Sequence, residues 1–344
     1  MLPRAVHDIA EENYVRVLIT GANGLVGRHL CPLLIDGGHE VVAAIRHDTA
    51  PALPDAVRVF NVGDLTPGTF WRDAMGGVDA VVHLAARTHV MEETAANPMM
   101  AYRRVNVEST RRLVTEAAVL GIRRVVLMST IKVNGEATHG QPFTAADTPA
   151  PEDPYGISKR DAEIELKRAT EGTNTAPVVL RAPLVYGAGV KGNFLALMEA
   201  IAAGRRLPLG MIDNRRSLVH AGNLASALKC AVEHPAAAGH TFLVRDGEDL
   251  STTALCRRLG AALGTPAKLL PVPVGLLRLA GRITGKGPAI SRLTGSLEID
   301  DTPLRADLGW QPPVSVDQGL ELTAAWFKSR RDQSEQQSEH TDGA

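Results

Sequence analysis

The sequence predicts an α/β fold, a doubly wound parallel sheet of Rossmann type with a smaller C-terminal substrate lobe. Three observations lead there. Short apolar runs of strand length alternate with stretches of helical period from residue 15 to residue 181, the pattern of consecutive βαβ units. The first run, 15–19, breaks at once into Gly21-x-x-Gly24-x-x-Gly27 and a helical pattern. The fourth run, 78–86, is almost wholly apolar, as a central strand covered on both faces requires.

The elements follow in order. Leu25, Leu30, Leu33 and Leu34 mark the first helix, which Gly37-Gly38 stops and Pro32 should kink. Strands are expected at 40–45, 57–60, 78–86, 124–130, 178–181 and 241–244. A long helix is expected over 98–120, on the spacing of Val105, Leu113, Val114 and Ala117. Asp153-Pro154 is an N-cap followed by proline at the first helical position, so a second helix should run over 155–169. Residues 14–182 with 217–246 then form the dinucleotide-binding domain, and 183–216 with 247–328 the substrate lobe. The lead-in 1–13 and the polar tail 329–344 are expected to be flexible.

Composition narrows the class. A chain of 344 residues with 44% apolar and 22% charged residues is an ordinary globular protein. A formal net charge of −1 offers no global attraction to nucleic acid, and no partner of that kind is expected. Three widely spaced cysteines, Cys31, Cys230 and Cys256, fit a reducing compartment rather than a disulfide framework. With no apolar signal region in 1–13 and no spanning run, the expectation is a cytoplasmic protein without membrane insertion. The stretch Gly275-Leu-Leu-Arg-Leu-Ala-Gly281 reads as a glycine-bounded helix of the substrate lobe rather than a membrane-surface element. His83, His89 and His220 have no cluster spacing and read as core or loop histidines, and no metal site is expected.

The chemistry lies in two places. A strand that turns tightly into a helix offers backbone N–H groups and a positive dipole end to a pyrophosphate, so Gly21, Asn23, Gly24, Leu25, Val26 and Gly27 are assigned to a dinucleotide. Ser129-Thr130 ends a strand, and Tyr155-Gly-Ile-Ser-Lys159 opens the next helix. Tyr155 and Lys159, at i and i+4, share one helix face, where the ammonium favours a phenolate able to move a proton. Thr130 can hydrogen-bond the reacting oxygen.

With these motifs the chain resembles the extended short-chain dehydrogenase/reductase family, in the branch that modifies nucleotide-linked sugars. The resemblance runs from Val15 to Trp326. It also rests on Asp64-Leu65, Leu84-Ala85-Ala86, Asn106, Arg181-x-Pro183-x-x-Tyr186-Gly187, Arg216-Ser-Leu-Val-His and Leu308-Gly-Trp-Gln-Pro312. It implies that Tyr155 relays the proton with Thr130 as partner, and that Lys159 also holds the nicotinamide ribose. Asp64 and Leu65 would lie at the adenine and Leu84, Ala85 and Ala86 along the cofactor. Asn193 and Arg216, with Lys132, would contact the nucleotide-sugar substrate, and a homodimer is expected.

Departures from the family pattern sharpen the expectation. Sugar 4,6-dehydratases carry an Asp-Glu pair directly after the strand-five threonine; here Ile131 and Lys132 stand there, which disfavours dehydration. Asn134 replaces a common tyrosine and Asn223 a common aspartate. Strand two ends in Ile45-Arg46-His47 rather than an acidic residue, so Arg46 tilts the cofactor from NAD(H) toward NADP(H), with a ribose contact from Asp48 as the alternative. The resulting expectation is a 4-keto-sugar reductase of UDP-N-acetyl-6-deoxy-4-ketohexose type, with a UDP-hexose 4-epimerase as the alternative. The runs Ser129–Glu136 and Arg292–Leu297 are similar to proteins of bacterial O-antigen sugar pathways. A reductase of an apolar ketone and a dinucleotide-sensing protein without activity stay open.

Overall fold

A computed structural model describes residues 15–46, 53–88 and 97–341. Seven strands form one parallel sheet: β1 (Arg16–Thr20), β2 (Glu40–Ile45), β3 (Arg58–Asn61), β4 (Ala80–His83), β5 (Arg124–Thr130), β6 (Ala176–Ala182) and, late in the chain, Thr241–Leu243. Between β6 and that last strand lie three short ones, β7 (Leu184–Tyr186), β8 (Arg206–Leu207) and β9 (Leu218–His220), which makes Thr241–Leu243 β10; β11 (Lys268–Leu269) follows. The sheet order is β3-β2-β1-β4-β5-β6-β10. The winding reverses between β1 and β4, and the carboxyl ends there are where such sheets receive ligands.

The helices are α1 (Gly27–Asp36), α2 (Pro98–Tyr102), α3 (Ser109–Val119), α4 (Pro154–Thr170), α5 (Gly192–Ala202) and α6 (Ala221–Glu233). Then come α7 (Thr252–Leu263), α8 (Val274–Ile283), α9 (Gly287–Thr294), α10 (Thr302–Leu308) and α11 (Val316–Thr341). Alternation along the strands divides the core. Val17 and Ile19 of β1 pack with Leu30 and Leu34 of α1 and Leu224 and Leu228 of α6. Leu18, between them in sequence, faces Leu113 of α3 and Leu166 of α4. A third cluster joins α5, α7, α8 and α11 through Phe194, Met198, Leu259, Leu277 and Leu320.

Four expectations change. The helix over 98–120 contains a π-helical turn at Arg103–Glu108, which carries Asn106 into the interior. Its amide bonds both backbone groups of Arg87 (2.8 and 2.9 Å) and the Ser158 hydroxyl (2.9 Å), so the irregular turn ties the loop after β4 to α4. The fourth strand ends at His83 because the chain leaves the sheet at Leu84 to run along the cleft. The expected flexible tail is instead largely helical, since α11 continues to Thr341. Helix α1 runs through Pro32 without interruption.

Candidate active site

One cleft of about 1740 Å³ opens at the carboxyl ends of the strands. Gly21, Asn23, Gly24, Leu25, Val26, Gly27, Arg46, Asp64, Leu65, Leu84, Ala85, Ala86, Thr130, Lys132, Tyr155, Asn193 and Arg216 all line it. Of the residues singled out in the sequence, Lys159 does not line it; it is buried behind the wall. Residues from α5, α7 and α9 close the far side, among them Phe194, Leu255 and Leu293.

The glycine turn is a tight cradle. Gly21 has φ +70°, and a Cβ there would lie 3.0 Å from the backbone of Ala85. A Cβ on Gly27 would come within 2.4 Å of the Ala22 carbonyl oxygen. Helix α1 has no side-chain cap at Val26, so its first-turn N–H groups are not taken up by a capping side chain and suit an anionic ligand. Beneath the turn, Thr20 Oγ1 accepts from the Ala85 N–H (3.2 Å) and meets His83 Nδ1 (2.6 Å). His83 Nε2 lies 3.0 Å from Thr110 Oγ1, which donates to the Asn106 carbonyl. The chain of bonds is complete with a neutral imidazole carrying its proton on Nε2. Burial, reinforced by Lys159, pushes His83 down to about 3. His83 is thus the core histidine the sequence suggested; His89, like His47 and Asp48, lies outside the described residues.

At the chemical centre, Asp153 caps α4 by accepting from the Gly156 N–H (2.6 Å), and this sets Tyr155 at the cleft wall. Burial, then the Asp153 carboxylate, then Tyr102 hold the Tyr155 phenol well above the ordinary tyrosine range. The net shift is upward, against the lowering expected from Lys159 on their shared helix face. Burial pushes Lys159 down to about 8, with the Glu163 charge opposing it. Thr130 Oγ1 accepts a long bond from the Lys132 N–H (3.4 Å), which leaves its hydroxyl proton for another acceptor. Lys132 Nζ bonds Asp153 (2.6 Å) and Glu136 (2.8 Å). Burial disfavours its charge, but those carboxylates outweigh that and hold it above the ordinary lysine value.

At the other end, Arg216 Nη1 donates to the carbonyls of Arg292 (2.7 Å) and Gly295 (3.1 Å). Burial lowers its affinity for a proton, Glu136 opposes that, and Arg292 adds to it. Arg292, Glu136 and Lys191 line the same wall, with Asn193 exposed beside them. None of the three was singled out as a site residue from the sequence. Arg292 lies on α9, far from Arg216 along the chain, and only the fold brings the two guanidinium groups together.

A buried network under the centre was also missed. Arg181 donates to both Glu163 oxygens (3.0 and 2.7 Å) and to Asn134 Oδ1 (2.9 Å), and Ser129 bonds Glu163 as well. The sequence signal is weak: Glu163 lies at i+4 from Lys159 and i+8 from Tyr155, on one helix face. The network explains Asn134, whose amide also donates to the Thr144 carbonyl (2.7 Å). Asn223 has a parallel reason: its amide donates to the buried Asp246 (2.7 Å), where a second carboxylate would repel.

Comparisons with known proteins agree with this geometry. The profile of the NAD dependent epimerase/dehydratase family matches residues 17–244. A UDP-glucose 4-epimerase of Vibrio cholerae is 40% identical over 314 residues, covering 90% of this chain and 95% of that one. The Thermus thermophilus UDP-glucose 4-epimerase solved with NAD superposes with a TM-score of 0.74 at 24% identity, covering 91% of this chain and 99% of that one. The Bacillus cereus UDP-glucuronic acid 4-epimerase, also solved with NAD, gives 0.74 at 20% identity and 91% and 96% coverage. These structures correct the expectation of NADP(H), for both hold NAD. The physical reason lies in this chain: Arg46 is 3.6 Å from the Asp64 carboxylate, whose charge opposes a 2′-phosphate at that place. The acidic group comes from beyond β3, brought beside Arg46 by the pairing of Ile45 with Asn61, and not from strand two. By its sequence match and by the cleft it builds, the chain belongs to the NAD-dependent epimerase/dehydratase family of short-chain dehydrogenase/reductase enzymes.

Proposed function

We propose that this protein is a UDP-hexose 4-epimerase that works with a retained NAD⁺. One observation carries the chemistry: Tyr155 and Thr130 line the same single cleft as the glycine cradle and as Arg216 with Arg292. Its volume, above the ~300–1,000 Å³ of a single small-molecule site, leaves room for a dinucleotide and a sugar nucleotide together. The identity to the Vibrio cholerae enzyme supports epimerisation in particular. The reductase reading drew on Arg46 and NADP(H), and with that support withdrawn the epimerase is preferred.

When bound, the nicotinamide supplies an acceptor, and then a donor, for the hydride of the sugar carbon. Tyr155 takes the proton of the 4-hydroxyl and returns it after the keto-sugar has turned its other face. Thr130 hydrogen-bonds the reacting oxygen meanwhile. Burial and Asp153 hold the phenol protonated, so phenolate formation depends on nearby positive charge. Arg216 and Arg292 hold the diphosphate, and Arg46 and Asp64 lie at the adenosine end, where Asp64 can accept from a ribose hydroxyl. Ile131 and the doubly paired Lys132 stand where dehydration would need an acid and a base. Homodimerisation through α3 and α4, whose outer faces expose Val119, Leu120 and Ile164, belongs to the same proposal.

The test is to denature the purified protein and identify the released nucleotide, then to supply UDP-glucose with no added cofactor. Stoichiometric NAD(H) and formation of UDP-galactose are expected. Protein that arrives without nucleotide and consumes one reduced cofactor per 4-keto-sugar would instead be a reductase.

A further inference from the structure

Helices α8 and α9 form a hairpin at the rim of the cleft. Helix α8 turns Leu277 and Gly281 inward, and Ile290 of α9 lies so close that a Cβ on Gly281 would meet it at 2.8 Å. Its outer face carries Leu276, Leu279 and Ile283, which are 58%, 54% and 78% exposed. Their spacing of three and four residues makes one stripe along the helix. Exposed Arg278, Arg282 and Lys286 stand beside it, and among the described residues none of the three has an ion-pair partner. From residue 250 to residue 297 the sequence has seven Lys or Arg and no Asp or Glu, in a chain whose net charge is −1.

An apolar stripe flanked by unpaired cations matches a surface that is anionic outside and apolar within. A second copy of this face fits poorly, because two-fold pairing would set Arg278, Arg282 and Lys286 against their own copies. We propose that the α8–α9 hairpin seats this protein on an anionic lipid bilayer. Leu276, Leu279 and Ile283 enter the interfacial layer, and the three cations pair with lipid phosphates. The attachment is peripheral, since among the described residues no helix is long and apolar enough to cross a membrane. Ala289, Arg292 and Leu293 of α9 also line the cleft, so the docked hairpin sets the cleft rim at the headgroups, next to membrane-borne donors or acceptors of sugar.

Cosedimentation of the full chain with vesicles of phosphatidylethanolamine and phosphatidylglycerol, beside vesicles of phosphatidylcholine alone, tests this. Binding to the anionic vesicles is expected, lost at high salt and at least about tenfold weaker on phosphatidylcholine, since each cation near such a surface contributes roughly fivefold. Arg278→Gln with Arg282→Gln should weaken binding by roughly twenty-fivefold, and separately Leu279→Asn with Ile283→Asn by at least about tenfold. Thermal melting and activity in solution should not change, because none of the four lines the cleft. Equal binding to both vesicles, or binding to neither, overturns the proposal. A dimer in sedimentation that the Leu279→Asn, Ile283→Asn variant dissociates, with no vesicle binding, would overturn it in favour of self-association.

Discussion

At the scale of single residues, the site turns on what burial does to three groups. Tyr155 is held neutral by burial and Asp153, so its chemistry depends on its own hydroxyl and cannot be lent by a neighbour. Tyr155→Phe should lower kcat/KM by about a thousandfold with the amount of retained nucleotide unchanged, read by turnover and by mass of the released cofactor. Lys159, at about 8, is charged below that pH and neutral above it. The cation that supports phenolate is then lost as pH rises, so kcat should decline above about pH 8; a flat profile to much higher pH would remove the Lys159 charge from the mechanism. For His83 the sign runs the other way in effect. Its folded pKa of about 3 lies below the unfolded value of roughly 6.5, so between the two the unfolded chain takes up a proton that the folded chain refuses. Stability attributable to His83 is full above that window and falls with decreasing pH, by up to about 1.4 kcal/mol per unit. Urea unfolding at neutral and mildly acid pH, compared with His83→Gln, should show a shallower loss in the variant.

At the scale of elements, β5 and α4 act as one unit with β6: Glu163 of α4 bonds Ser129 of β5 and pairs with the buried Arg181 of β6, which Asn134 also holds. Glu163→Ala would leave a buried guanidinium without its anion, and a loss of about 3–5 kcal/mol is expected in denaturant unfolding. Both strand and helix could be drawn from local pattern, because alternation, the Asp153-Pro154 cap and the apolar runs are properties of neighbours along the chain. The pair that joins them could not, since a strand end and a helix face meet only after the sheet is covered. The π-helical turn at Arg103–Glu108 escaped for the same reason: its signal is the inward Asn106, whose partners Arg87 and Ser158 are distant in sequence. At the first βα turn, by contrast, the glycines announced themselves. Gly27→Ala has no room beside Ala22, so the turn must open, and the variant should purify without retained nucleotide.

At the scale of the whole molecule, the cleft belongs to no single segment. The glycine turn, the β5 end, the start of α4 and the α9 rim each contribute a part, and ligands that bind only the assembled cleft should stabilise it. A ligand at a hundred times its Kd adds about 2.7 kcal/mol. UDP should therefore raise the melting temperature of the protein, and Arg216→Ala with Arg292→Ala should abolish that rise while leaving the retained NAD(H) in place.

The amino-acid sequence by itself determined the fold class, most of the sheet, the glycine turn, the strand end at Thr130 and the helix face that Tyr155 and Lys159 share, because periodicity, caps and close-spaced motifs are local. Tertiary structure alone decided what those residues meet. It set Asp64 against Arg46, turning a cation that suggested a phosphate into half of an ion pair. It buried Lys159 beside Glu163 and His83, and it set the Arg216 guanidinium on the Arg292 carbonyl. Charge acts through space, and which charges are close in space is a property of the packed chain.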